Sequence, residues 1–143
     1  MIRVLIGDDD ATFRDALSDV LDDDPRFEIV GVAPDGLGLL DLATRIDADV
    51  ALVDVRMPAG GVSATSVLSD AQAQWAPITV VAISADTAAS TVVAMARAGA
   101  RGYLAKGALG ADLPDLVARC VAGETVLAVP SAAEVLRQLG VDL

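Results

Sequence analysis

Carboxylates, a hydroxyl and an ammonium recur in this sequence at the ends of apolar runs. Val4-Leu5-Ile6 leads to Asp8, Asp9 and Asp10, and Val50-Ala51-Leu52-Val53 ends at Asp54, with Met57-Pro58 beyond it. Ile78 to Ile83 ends at Ser84, and Gly102-Tyr103-Leu104-Ala105 ends at Lys106. Acids gathered in one crevice repel: two unit charges roughly 4 Å apart cost about 4 kcal/mol at an effective dielectric of about 20. They need a divalent cation or a basic side chain among them. With no His or Cys ligand nearby, the ion should be hard and oxygen-seeking, Mg²⁺ or Mn²⁺ in its place. A carboxylate beside such an ion can attack phosphorus in line and form an aspartyl-phosphate. Lys106 and the metal would balance the phosphoryl oxygens, and Ser84 would donate its hydroxyl to one of them. Each residue alone has a plainer use, the acid as a helix cap and the serine as a turn former. The convergence of four strand ends is what separates the two readings.

The absence of histidine removes Ser-His-Asp triads and His-ligated zinc. The basic residues are nine arginines and a single lysine, Lys106, which suggests that its position requires a compact ammonium. A net charge of −11 argues against nucleic acid as a direct ligand, since phosphate contacts need clustered Lys and Arg. No apolar run approaches a membrane span, and Met1-Ile2-Arg3 enters a strand directly, so a cytoplasmic protein without a signal peptide is expected. The lone Cys120, among Leu116, Val117 and Val121, reads as a small buried hydrophobe.

To hold these residues on one edge, strands and helices must alternate. Strands are expected at 2–7, 27–33, 50–54, 78–84 and 101–105, and helices near 11–22, 37–46, 62–73, 88–98 and 112–122. Phe13, Leu17, Val20 and Leu21 carry the first helix, and Leu37, Leu40, Leu42 and Ile46 the second, at helical spacing. Asp22-Asp23-Asp24-Pro25 reads as a solvated helix end. Runs such as 50–53 and 78–83 are apolar throughout, as strands covered on both faces must be. The fold class is α/β: a doubly wound five-stranded parallel sheet with helices on both faces, plus a short C-terminal helix. Ser131-Ala-Ala-Glu134 has capping-box spacing and opens that helix, to about Leu139. Domain 1–122 is followed by an extension or linker, 123–143. Trp75, just before Pro77, reads as a surface-edge packing residue.

With these residues in place, positions 1 to about 122 resemble the receiver domain of two-component response regulators, a flavodoxin-like fold. An acidic pair follows the first strand, Asp54 is followed by Met57 and Pro58, Ser84 lies 30 positions after Asp54, and Lys106 lies 22 after Ser84. The resemblance implies Asp54 as phosphoacceptor, with Mg²⁺ bound directly by Asp9 and Asp54, through water by Asp8, and by the backbone carbonyl of Arg56. It implies Ser84 and Tyr103 as a switch pair, Lys106 as the phosphate-binding lysine, and Ala85 as the small residue that leaves the phosphoryl group accessible. The phosphodonor would be a sensor histidine kinase, and a homodimer is compatible with the family. Phosphotransfer and slow autodephosphorylation would be self-catalysed. Phosphorylation would move Ser84, draw Tyr103 inward, and reshape the face made by helix 88–98, strand 101–105 and helix 112–122. Gly107 after the lysine, with Gly123-Glu124-Thr125-Val126-Leu127, is similar to the branch that precedes a helix-turn-helix DNA-binding domain, which makes transcription regulation the expected output.

Asp10 adds a third acid, and Arg56 and Asp86, each two positions past a key residue, could pair across the site mouth and slow loss of the phosphoryl group. Two rival readings stand beside this one. Asp8-x-Asp10-x-Thr12 has the nucleophile pattern of a haloacid-dehalogenase-type phosphatase, with Asp8 attacking and Asp10 as acid/base, but it leaves Asp54-Val-Arg-Met-Pro58 unexplained. A pseudo-receiver would be a folded interaction module that is never phosphorylated.

Overall fold

The computed structural model describes residues 1–70 and 78–140. Trp75, Pro77 and the last residues of the helix expected to reach 73 lie outside the described residues. The elements run β1 (Ile2–Gly7), α1 (Ala11–Asp22), β2 (Phe27–Ala33), α2 (Gly36–Arg45), β3 (Val50–Val53), α3 (Gly61–Asp70), β4 (Thr79–Ser84), α4 (Ala89–Ala98), β5 (Gly102–Ala105), α5 (Leu113–Val121), β6 (Val126–Ala128) and α6 (Ala132–Gln138), with a 3-10 turn over Lys106–Ala108. All strand pairs are parallel, in the order β2-β1-β3-β4-β5-β6.

Alternation along the strands sends side chains to two apolar layers. Leu5, Ala51, Val53, Val80, Ala82 and Tyr103 face one layer, which Leu39 of α2, Leu68 of α3, Val92 of α4 and Val135 of α6 complete. Val4, Ile6, Leu52, Val81, Ile83 and Leu104 face the other, against Leu17 and Leu21 of α1 and Val117 and Cys120 of α5. The doubly wound parallel sheet is thus present, with one change: it has six strands, not five. Val126-Leu127-Ala128 adds to β5, with Tyr103 opposite Leu127. A three-residue run is too short to read as a strand from periodicity, yet an otherwise open β5 edge offers it unpaired backbone groups.

Three local readings change as well. In α2, Leu37 is 71% exposed while Leu39 is fully buried. The Asp35 carboxylate accepts from Gly38 N at 2.7 Å and sets the helix phase, and Leu39 then meets Gly7, whose missing Cβ would lie 2.9 Å from Leu39 Cδ2. In α1, Val20 points to solvent. Before α6 no capping box forms: the Ser131 backbone is not extended, its Oγ donates to the Thr87 carbonyl at 2.7 Å, and Glu134 pairs with Arg137 and Gln138. The acidic run 22–24 ends α1 as expected, with Asp24 taking a forked bond from Arg26, which also reaches Asp115 of α5.

Candidate functional site

The strand order places β1 between β2 and β3, so the chain steps from β1 to β2 on one side and then crosses back over β1 to β3 on the other. Ligands of open parallel sheets bind at such a reversal, beyond the strands' C-terminal ends. Asp8 and Asp9 follow β1, Asp54 follows β3, Ser84 closes β4 and Lys106 follows β5. The Asp54 amide donates to the Gly7 carbonyl at 2.9 Å, locking the two acid-bearing ends together. Gly61 opens α3 so close under Asp54 that a Cβ would collide with the Asp54 carbonyl.

Carboxylate oxygens of Asp8, Asp9 and Asp54 lie within 4.8 Å of one another. Asp8 and Asp54 are 2% and 5% exposed, whereas Asp9 faces solvent. A set of hard oxygen donors with one open side fits Mg²⁺, which keeps part of its water shell. Lys106 Nζ lies 2.8 Å from Asp8 Oδ2 and 3.2 Å from Asp54 Oδ2, and 4.3 Å from the centre of the Phe13 ring. Burial pushes the Asp8 carboxyl above its ordinary value against the pull of Lys106. Burial also works against the Lys106 charge, but the bonds to Asp8 and Asp54 outweigh it and hold the ammonium above the usual lysine value. Asp10 does not face the acid cluster: its carboxylate caps α1 by accepting from Phe13 N at 3.2 Å, and its own amide donates to Asp8 Oδ1 at 2.9 Å. Arg14 reaches back to the Asp8 carbonyl at 2.7 Å.

Asp86 organises the mouth of the crevice. The Arg56 guanidinium pairs with its carboxylate, as the sequence spacing suggested. Ala88 N and Thr91 Oγ1 donate to the same carboxylate at 3.0 Å each, and the Asp86 amide donates to Ser84 Oγ at 3.1 Å. Tyr103 lies inward, and its hydroxyl donates to the Asp86 carbonyl at 2.6 Å. Burial raises the phenol above its ordinary pKa. Below, Arg56 N donates to Asp54 Oδ1 at 3.0 Å. Ser84, Tyr103 and Asp54 are therefore linked through two loops, one after β3 and one after β4.

Residues 4–118 match the profile of the response regulator receiver domain. The chain belongs to the response regulator receiver family. Among its relatives, the nitrate/nitrite response regulator protein NarP of Escherichia coli (strain K12) is 36% identical over 104 residues, covering 73% of this chain and 47% of that protein. The transcriptional regulatory protein DegU of Brevibacillus brevis is 33% identical over 106 residues, covering 73% and 44%. This receiver chain thus spans about half the length of the curated relatives it matches. The signal receiver domain of the response regulator NarL from Mycobacterium tuberculosis superposes with a TM-score of 0.80 at 31% identity, covering 86% of this chain and 98% of that one. A LuxR-family response regulator from Aurantimonas sp. SI85-9A1, at 20% identity, shares the fold with a TM-score of 0.85 over 96% of this chain and 97% of that one. The chain is thus a two-component receiver domain related to transcription regulators. The phosphatase and pseudo-receiver readings draw no support from these relatives, and Asp10, spent on a helix cap, is not poised as an acid/base.

Asp8, Asp9, Asp54, Ser84 and Lys106 lie at this crevice, whereas Asp10 caps α1. Two contributors escaped sequence reading. Phe13 counted only as a core position of α1, and Thr91 had no assigned part. The signal for Phe13 is its place three residues after a capping Asp, which turns it toward the β5 end. Thr91 had no comparable signal, because its bond to Asp86 depends on how the loop after β4 folds.

Proposed function

We propose that this receiver accepts a phosphoryl group onto Asp54 from the phosphohistidine of a sensor histidine kinase. Asp54 Oδ1 is taken up by the Arg56 amide, so Oδ2, on the Lys106 side, is the oxygen that attacks phosphorus. An O–P bond forms, the P–N bond breaks, and the departing imidazole takes its proton from water. Asp9, Asp54 and the Arg56 carbonyl would hold Mg²⁺ directly and Asp8 through water, and the bound ion would supply positive charge for the phosphoryl oxygens. Lys106 supplies a fixed positive charge at the same oxygens, and the Ser84 hydroxyl donates to one of them. The observation that carries this reading is the Lys106 ammonium bridging Asp8 and Asp54 at 2.8 and 3.2 Å where β1, β3 and β5 end.

The new charge, about −2, draws Ser84 toward Asp54 and away from the Asp86 amide. Tyr103 is already turned inward with its hydroxyl on the Asp86 carbonyl, so the inward rotation expected from the sequence is not required, and the shift of the loop after β4 acts on a ring that is in place. The change reaches α4, β5 and α5, and also the extension, because Ser131 holds the Thr87 carbonyl and α6 packs on α4. α4 suits this role: its first turn has no side-chain cap, and Ser90, Thr91, Val92 and Val93 are weak helix formers. The output is proposed to be transcription regulation by a larger protein, in the cytoplasm, with a homodimer as its working state. No helix among the described residues is long and apolar enough to cross a membrane.

Incubation with Mg²⁺ and acetyl phosphate should raise the intact mass by one phosphoryl group, and chelation or Asp54→Asn should abolish the gain. Equal labelling of Asp54→Asn would overturn the assignment.

A further inference from the structure

We propose that Phe13 is a positioning residue for phosphoryl transfer: its ring holds the Lys106 ammonium in place while the carboxylates that now grip it change partners. The proposal rests on Asp54 being the acceptor. Lys106 Nζ stands 4.3 Å from the ring centroid, inside the roughly 6 Å over which the negative face of an aromatic ring attracts a cation. The lysine side chain is only 17% exposed, and exclusion of water strengthens such contacts.

The ring is itself fixed. Phe13 packs against the layer containing Val4, Ile6 and Leu17, and its amide donates to Asp10 Oδ1. Asp10 in turn orients the Asp8 carboxylate through its own amide. One turn of chain therefore sets both the acid that grips Lys106 from one side and the ring that grips it from another.

The reaction changes two of these three partners. Esterification converts the Asp54 carboxylate into an acyl phosphate and moves its negative charge outward onto the phosphoryl oxygens. The Asp8 carboxylate must then serve the ion site instead of the ammonium. The ring carries no net charge and takes no part in either exchange, so its attraction for the ammonium persists across all steps. Without it, a flexible four-carbon stem would have to relocate the phosphoryl group unaided.

Lys106 is the chain's only lysine, so ¹³C-lysine labelling yields a single side-chain ε-CH₂ resonance. In the wild-type chain the ring current should move its protons upfield of the free-lysine position, and Phe13→Leu should return them there. With acetyl phosphate and Mg²⁺, Phe13→Leu should lower the maximal phosphorylation rate by about tenfold with little change in KM, whereas Phe13→Tyr should stay within about twofold of wild type. Thermal melts establish that each variant folds, and Phe13→Met replaces Phe13→Leu if the latter does not. An unshifted resonance in a chain that phosphorylates normally overturns this proposal alone, and so does an equal rate loss in the Leu and Tyr variants. A shifted resonance in a chain that takes no phosphoryl group overturns the reading of Asp54 instead.

Discussion

Removal of the Arg56 side chain should shorten the life of the phosphorylated receiver. Hydrolysis of the acyl phosphate needs water to approach phosphorus in line, and the Arg56–Asp86 pair joins the loops after β3 and β4 that flank Asp54, where it would hinder that approach. Arg56→Ala opens that path while keeping the backbone amide that holds Asp54 Oδ1 and the carbonyl proposed as an ion ligand. The size of the effect follows from exposure. The Arg56 side chain is 71% exposed, whereas that of Asp86 is 17% exposed and anchored by Ala88 N and Thr91 Oγ1. Exposed pairs are worth about 0.2–1 kcal/mol, and the anchored acid places this one near the top. If that energy is lost from the barrier to water entry, autodephosphorylation quickens by up to about fivefold. The assay is the decay of the phosphorylated chain after rapid removal of acetyl phosphate, read by intact mass at low and high salt. Asp86→Asn should give a similar acceleration, and the double variant should be no faster than either single one. Unchanged or slower decay in Arg56→Ala would refute the reasoning, as would full additivity of the two changes.

Other outcomes follow from the same geometry. Leu39→Ala, which empties the space beneath Gly7 and Met57, should cost about 2–5 kcal/mol in denaturant unfolding, and a loss below about 1 kcal/mol would contradict its placement in the core. The Cys120 thiol, pushed up to about 11 by burial, should resist alkylation at about pH 8 until the chain unfolds; rapid reaction of the native protein would contradict its burial against Gly102. Hydrogen bonds from Arg26 hold the Asp24 carboxyl below its ordinary 3.8. Its contribution is therefore present above that value and lost as pH falls through the lowered one. Asp24→Asn should lower the urea midpoint at neutral pH and have no effect at strongly acid pH, and a pH-independent difference would exclude the ion pair as its cause.

Much of the site was legible because parallel strands impose a simple rule: whatever follows each apolar run lands on the same edge. Asp8, Asp9, Asp54, Ser84 and Lys106 could be gathered by that rule before any coordinate was known. The Arg56–Asp86 pairing was readable for the same reason, since the two residues stand two positions past Asp54 and Ser84. Local chemistry also carried the end of α1, through Pro25.

The roles that remained hidden depend on competition between local and distant partners. Asp10 belongs to the acid triplet by position, but the free amides of the first turn of α1 claim its carboxylate. Ser131 has the spacing of a cap, yet the Thr87 carbonyl, distant in sequence, takes its hydroxyl. Val126-Leu127-Ala128 has no strand signature of its own and becomes β6 only because β5 presents an edge. Sequence alone determined the alternation of elements and the chemistry delivered to the crevice, since periodicity and strand direction are properties of the local chain. Tertiary structure decided the sixth strand, the ring behind Lys106 and the anchoring of Asp86, because each is a choice among partners that only meet once the sheet has formed.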